Sequence, residues 1–291
     1  MSKLKYLQRS LVAQFSRSRF CCPSCGSDSA RVIERKHVIT QLRRCTQCQL
    51  MFRTPTDDPA ANASFYENEY AQGFTTDVPP DSELALLTES NFAGTEKDYS
   101  YYISILHQLG LQPGVRIFDY GCSWGYGSYQ LAKVGFDVTS FEIAPSRRRY
   151  AEQKLGVSTV SNMDEVADRL AGQFDCFFSA HVLEHVPSPV QTFAYAMRLL
   201  KMRGLFVSFT PNGSQEHRTA SPRWSKLWGE VHPNFVDPTF LDSSFRRSPR
   251  FVGSSPVANA DLGETVGMTR LNALDQSELV FAARKIAPSW A

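Results

Sequence analysis

The chain has 291 residues, with 31 Lys and Arg against 29 Asp and Glu, a formal charge of +2 at neutral pH. That near-balance excludes a nucleic-acid coat or a polybasic membrane binder as a description of the whole chain, and a 42% hydrophobic content excludes disorder for most of its length. The length fits one large domain plus a small one. No window approaches the ~18 consecutive apolar residues of a membrane span, and the N-terminus lacks a secretory leader, so a cytoplasmic location is expected.

Residues 1–20 carry Lys3, Lys5, Arg9, Arg17 and Arg19 with no acid, and Leu4, Leu7, Leu11, Val12 and Phe15 recur at helical spacing. This predicts a basic amphipathic helix, expected to dock on its own protein; a seat on an anionic membrane surface or an organelle presequence stay open. Residues 21–56 bear the cysteines and end in a turn-rich boundary, Thr54-Pro55-Thr56-Asp57-Asp58-Pro59. A linker, residues 57–110, holds Phe65, Tyr66, Tyr70 and Phe74, a loop through Pro79-Pro80, and a predicted helix Tyr99–Leu109 stopped by Gly110.

From 111 to 291 short apolar runs alternate with helical stretches. Strands are predicted at Val115–Tyr120, Asp137–Glu142, Val157–Val160, Phe174–Ala180, Leu205–Thr210 and Glu278–Ala283. Helices are predicted at Tyr126–Val134, Ser146–Leu155, Asp164–Leu170 and Pro189–Leu200, and the Ser-, Arg- and Pro-rich stretch Ser243–Ser255 reads as a loop. Strand and helix in turn mean an α/β fold, a parallel sheet covered on both faces with its ligand at the carboxyl ends of the strands.

Cys22-Pro-Ser-Cys25, nineteen residues, then Cys45-Thr-Gln-Cys48 makes two C-x2-C pairs at zinc-ribbon spacing. Each pair closes a knuckle over one side of a metal, and four thiolates complete a tetrahedron with no open position, so a Zn2+ held by Cys22, Cys25, Cys45 and Cys48 is structural. Cys21 would give the less regular C-x3-C and is left out. Arg31, Arg35, Lys36, Arg43 and Arg44 make this segment basic, which leaves nucleic-acid contact open beside simple solvation.

Ile117-Phe-Asp119-Tyr-Gly121-Cys122-Ser123-Trp-Gly125-Tyr-Gly127 joins a strand directly to a helix. Gly121 suits the sharp turn, Gly125 and Gly127 suit close approach, and the helix N-terminus offers unbonded N–H groups. Glu142, at the end of the next strand, is placed to accept hydrogen bonds from both hydroxyls of a ribose. D-x-G-C-x-x-G from Asp119, followed by Phe141-Glu142, resembles the S-adenosylmethionine site of class I methyltransferases. By that resemblance Asp119 helps hold the methionine moiety, and the cofactor contacts are Asp119, Gly121, Cys122, Ser123, Gly125, Glu142, Ile143, Ala180, His181 and Tyr66, with Asn162 or Met163 near the adenine. Ser123 departs from the family's usual Gly, which implies a stiffer loop.

The stretch from Gly172 through Pro189 and the run Gly204-Leu-Phe-Val-Ser-Phe-Thr-Pro-Asn resemble the family's fourth and fifth strands. Cys45-x-x-Cys-x-x-x-Phe52-x-x-Pro55, with Tyr66 and Tyr70, resembles a subgroup with an N-terminal zinc ribbon, whose members often methylate sugars. The resemblance therefore implies a Rossmann-like methyltransferase sheet with a small ribbon, binding S-adenosylmethionine and a small polar acceptor, most simply a carbohydrate, and not nucleic acid. His181, Glu184, His185 and His232 are the candidate acid–base residues, because a neutral imidazole suits proton removal near pH 7; His232 resembles the histidine proposed as catalytic in that subgroup. Two other readings stay open: a methyltransferase whose ribbon docks RNA or protein, and a scaffold that binds cofactor without turnover.

Overall fold

A computed structural model describes residues 3–36, 38–58 and 77–291; Phe65, Tyr66, Tyr70 and Phe74 lie outside the described residues. Helix α1 (Lys3–Ala13) precedes strands β1 (Ala30–Lys36), β2 (Thr40–Cys45) and β3 (Met51–Thr54), then helices α2 (Asp81–Glu89) and α3 (Ser100–Gln108). The alternating part runs β4 (Arg116–Tyr120), α4 (Tyr126–Lys133), β5 (Asp137–Phe141), α5 (Pro145–Leu155), β6 (Thr159–Val160), α6 (Met163–Arg169), β7 (Phe174–Ala180), α7 (Pro189–Leu199) and β8 (Leu200–Pro211). After it come α8 (Gln215–Ala220), β9 (Asn234–Phe235), α9 (Pro238–Ser244), β10 (Pro249–Ser254), β11 (Gly267–Arg270) and β12 (Glu278–Arg284).

Eight strands form one sheet in the order β11-β10-β12-β8-β7-β4-β5-β6. From β8 to β6 every neighbour is parallel, whereas β12 is antiparallel to β8 and to β10. The central strands are apolar on both faces because helices cover both: Ile117, Phe118, Phe174, Phe177, Phe178, Phe206 and Phe209 are fully buried. The chain leaves β4 toward β5 and β6, then returns to lay β7 and β8 on the other side, so the strand order reverses between β4 and β7. That is where such sheets open a ligand crevice.

The alternating elements agree with the sequence expectation to within a few residues, apart from β8, which begins five residues earlier and carries an irregular pairing opposite β7. The expected loop Ser243–Ser255 is corrected. It contains the end of α9 and the whole of β10, a fully buried strand whose Arg250 is neutralised by Asp242. Pro249 stands at the strand's first position, where its missing N–H disrupts least.

A second, four-stranded antiparallel sheet has the order β1-β2-β3-β9. Its last strand comes from far along the chain: Met51 pairs with Phe235 and Phe52 with Asn234, and Arg53 N–H donates to Pro233 O at 2.7 Å. Lys36 strengthens the union, its Nζ donating to Trp228 O at 2.6 Å while lying 4.1 Å from the centre of the Trp228 ring. The cysteine segment is thus fastened to the connection that follows β8.

Candidate active site

The turn after β4 folds across the end of β5: Gly121 and Cys122 donate their N–H groups to Phe141 O at 2.8 and 2.9 Å. Gly121 has φ +88°, and a Cβ there would lie 2.5 Å from Val182 Cγ2, so both conformation and space demand glycine. Gly125 (φ +91°) serves a different neighbour, since its absent Cβ makes room for Ala151 and thereby seats α5. Ser123 has φ +53°, a left-handed conformation that costs a residue with a side chain more than the usual glycine. Its buried Oγ has no hydrogen-bond partner among the described residues, an unused polar group in the turn after β4.

Two buried carboxylates lie beneath this loop. Glu142 Oε2 accepts from Ser123 N–H at 3.0 Å and Oε1 from Ala144 N–H at 2.8 Å. Burial pushes its carboxyl up, while those N–H groups and Arg147 draw it down. Asp119 accepts the Ser128 hydroxyl on Oδ2 at 2.5 Å, and Ser140 donates to Ser128 in turn at 2.9 Å; burial raises the Asp119 carboxyl to about 6. Each carboxylate oxygen has two lone pairs, so Glu142 can hold its loop and still accept from a ligand hydroxyl. Arg148 binds the carbonyls of Glu142 and Ile143 at 3.0 and 2.9 Å, and Asn162 is engaged as the N-cap of α6 with Met163 packed in the core.

Across the crevice, Ala180 ends β7 and the chain turns through His181, a non-glycine residue at φ +54°. His181 Nε2 lies 2.7 Å from Glu278 Oε1, and Nδ1 lies 3.4 Å from Glu184 Oε1. Burial disfavours the cation, but two carboxylates outweigh it and raise His181 to about 10, so both ring nitrogens carry protons near neutral pH. Tyr102 donates to Glu278 Oε1 at 2.8 Å. Burial also pushes Glu184 up, yet His181, His185 and His232 together bring it down to about 2; Thr210 donates to its Oε2 at 3.0 Å.

His185 and His232 form a separate pair. His185 Nδ1–H donates to Val231 O at 2.7 Å, and His232 Nδ1–H donates to Leu227 O at 3.1 Å; a carbonyl only accepts, which fixes both tautomers. Their rings meet edge-on with centroids 4.6 Å apart. Burial lowers His185 to about 4. One ligand-capable atom each from Glu184, His185 and His232 lies within 4.8 Å of the others. The turn carrying Glu184 and His185 is held by β9, where Asn234 N–H donates to Glu184 O at 3.2 Å and the Asn234 side chain donates to Val186 O at 2.6 Å.

Sequence reasoning missed Glu278, Tyr102 and Thr210. A signal for Glu278 existed: it heads the last strand, and an antiparallel strand presents its first residue at the edge where its parallel neighbours end, here Glu278 opposite Pro211.

The profile of the methyltransferase domain family matches residues 95–248. The chain belongs to that family. Residues 95–248 form a class I S-adenosylmethionine-dependent methyltransferase domain, with a Rossmann-like α/β fold. Over 103 residues, 33% of its length, the methyltransferase is 34% identical to the ubiquinone biosynthesis O-methyltransferase of Xanthomonas campestris pv. campestris strain B100, and covers 43% of that protein. It is 28% identical over 152 residues to the cyclopropane-fatty-acyl-phospholipid synthase of Escherichia coli K12, covering 39% of it. The chain therefore spans about two-fifths of the length of the curated relatives it matches. Among solved structures, the geranyl diphosphate C-methyltransferase of Streptomyces coelicolor A3(2) aligns with 78% of this chain and 98% of its own, at TM-score 0.48 and 14% identity.

The crevice fits the cofactor. Ser123 Oγ is buried without a hydrogen-bond partner among the described residues, and Glu142 retains acceptor capacity beside it. The cysteine cluster also fits a metal: Cys22 Sγ lies 3.5 Å from Cys48 Sγ and Cys25 Sγ 3.5 Å from Cys45 Sγ, close to the ~3.8 Å edge of a tetrahedron with Zn–S bonds of about 2.3 Å. The two knuckles repeat one another, with left-handed Gly26 and Gln49 each following the second cysteine of a pair. Cys21 Sγ instead faces Arg17 O at 3.9 Å.

Proposed function

We propose that the chain methylates a hydroxyl of a small acceptor, with His232 as the general base. The observation that carries this is the arrangement of His232, its Nδ1–H pinned by Leu227 O, beside the ionised Glu184. S-adenosylmethionine, when bound, supplies an activated methyl group for in-line displacement. Asp119, Ser123 and Glu142 would hold and orient it at the ends of β4 and β5. His232 receives the acceptor's proton on Nε2, and the Glu184 charge stabilises the imidazolium so formed. His181, already protonated between Glu184 and Glu278, is excluded as the base and serves to fix the turn. His185, lowered to about 4, is too weak a base to lead and orients His232 by its edge-on contact.

A phenolic hydroxyl, of pKa about 10, gives up its proton to a general base more readily than a sugar hydroxyl does. The name of the Xanthomonas relative supports oxygen as the methylated atom. The carbohydrate acceptor of the ribbon-bearing subgroup is the second reading, favoured by the cysteine cluster. In either case residues 21–56 act as a ribbon held by Zn2+ on Cys22, Cys25, Cys45 and Cys48, and residues 111–291 as the catalytic domain. The ribbon's inward-turned Arg44 and Arg53, paired with Asp237 and Asp57, favour a structural role over RNA docking. The test is a screen of phenols, catechols and nucleotide sugars for S-adenosylhomocysteine release. His232→Gln should lower kcat by about 100-fold or more with cofactor affinity intact, and an unchanged kcat would remove His232 from the reaction.

A further inference from the structure

We infer that α1 and the β1–β2 turn form one surface that seats the protein on an anionic lipid bilayer. Helix α1 is sided: Tyr6 and Ser10 are buried against the protein, whereas Leu11 is 53% exposed, Val12 73% and Phe15, just beyond the helix, 89%. The β1–β2 turn stands beside it, because Gln14 Nε2 donates to Ile39 O at 2.6 Å, and the neighbouring Val38 is 91% exposed at the tip. Two distant segments thus bring large apolar side chains to one place. Of the ten exposed large hydrophobic residues among those described, five fall between positions 11 and 38. A concentration of this kind marks an interaction site, whereas single exposed apolar residues need no explanation.

Charge identifies the occupant. Residues 1–20 carry five basic residues and no acid. Arg9 and Arg19 are paired with Asp57 and Asp58, while Arg17 and, on β1, Arg35 are exposed to meet anionic headgroups; Lys3 and Lys5 add to the positive charge of the same stretch of sequence. Apolar side chains that enter the acyl boundary beside cations that bind headgroups are the requirements of an interfacial helix. The contact is peripheral, since no helix among the described residues is long and apolar enough to cross a membrane.

The test is sedimentation of the purified full chain with vesicles of phosphatidylcholine alone or mixed with phosphatidylglycerol, over a salt series. Binding is expected on the anionic vesicles only, weakening as salt rises. The double variant Phe15→Asp, Val38→Asp should bind about tenfold more weakly or worse, with S-adenosylhomocysteine affinity unchanged as proof of folding. A Phe15→Trp protein should show a blue-shifted emission on anionic vesicles. Equal binding to neutral vesicles, no binding at all, or binding that the double variant leaves intact would overturn the inference. Self-association by sedimentation velocity that the same variant abolishes would overturn it in favour of a second copy of the chain.

Discussion

Glu142→Gln separates the two duties assigned to one carboxylate. In the folded chain its two oxygens each accept one backbone N–H, from Ser123 at 3.0 Å and Ala144 at 2.8 Å. A carboxamide offers one oxygen, and its NH2 must then face the second N–H, donor against donor. One buried donor is left unsatisfied, at about 1–3 kcal/mol, and the surviving bond loses its charge. Removing a buried carboxylate recovers part of its desolvation cost, so the net loss is taken as about 1–2 kcal/mol. That should lower the melting temperature by roughly 2–8 °C for a chain of this size. If Glu142 holds the ribose as proposed, its hydroxyls also lose an ionised acceptor, and S-adenosylhomocysteine should bind about tenfold more weakly or worse, equivalent to about 1.4 kcal/mol. Thermal unfolding and calorimetric titration read the two effects separately. An unchanged melting temperature would refute the loop-strap geometry, and an unchanged affinity would refute the cofactor role.

Stability should also depend on pH in a defined way. His185 is depressed from 6.5 to about 4, so its contribution is complete above 6.5 and is lost as pH falls through 4; the full shift is on the order of 3 kcal/mol. Urea midpoints should fall from pH 7 to pH 5, and His185→Asn should flatten that slope. His181 moves in the opposite sense: its raised value stabilises below 6.5 and the effect is lost as pH rises through about 10, damped because the ring is 46% exposed. Gly121→Ala should cost about 2–4 kcal/mol from left-handed strain plus contact with Val182, and adding Val182→Ala should restore only the contact part; full restoration would contradict the strain assignment. Elemental analysis should find one zinc per chain, retained in Cys21→Ser and lost in Cys25→Ser. Chelation should speed amide exchange at Asn234 and Phe235, whereas unchanged exchange there would uncouple the cysteine cluster from the catalytic segment.

The legible parts of the sequence were those in which one force dominated. Phe174–Ala180 and the Asp119–Gly127 turn announce themselves because burial on two faces and a strand-to-helix joint leave few alternatives. β10 was hidden by its polar letters: Arg250 is buried only because Asp242 meets it, a pairing across elements that local composition cannot display. The ribbon strands were obscured likewise, since in Thr40–Cys45 Arg43 donates to Ala30 O and Arg44 pairs with the distant Asp237. At the site, Asp119, Glu142 and the histidines were visible as residue types. What was not visible is that His181 lies between two carboxylates and His185 between a carbonyl and another imidazole, so that neighbours equal in sequence titrate in opposite directions.

The pairing of β3 with β9 has a consequence for how the molecule is made. During synthesis the cysteine-bearing hairpins emerge before β9, and a metal can close their knuckles early. Their outer edge, with Met51 and Phe52, nevertheless stays uncovered until Asn234 and Phe235 leave the ribosome and the sheet between them has assembled. An excised fragment of residues 21–56 would therefore expose an unpaired strand edge and self-associate. A chain cut after β8 would keep most of its large sheet but leave the turn of Glu184 and His185 without its brace. The chain can be parsed into two units on paper; in assembly it has a single late step that completes both.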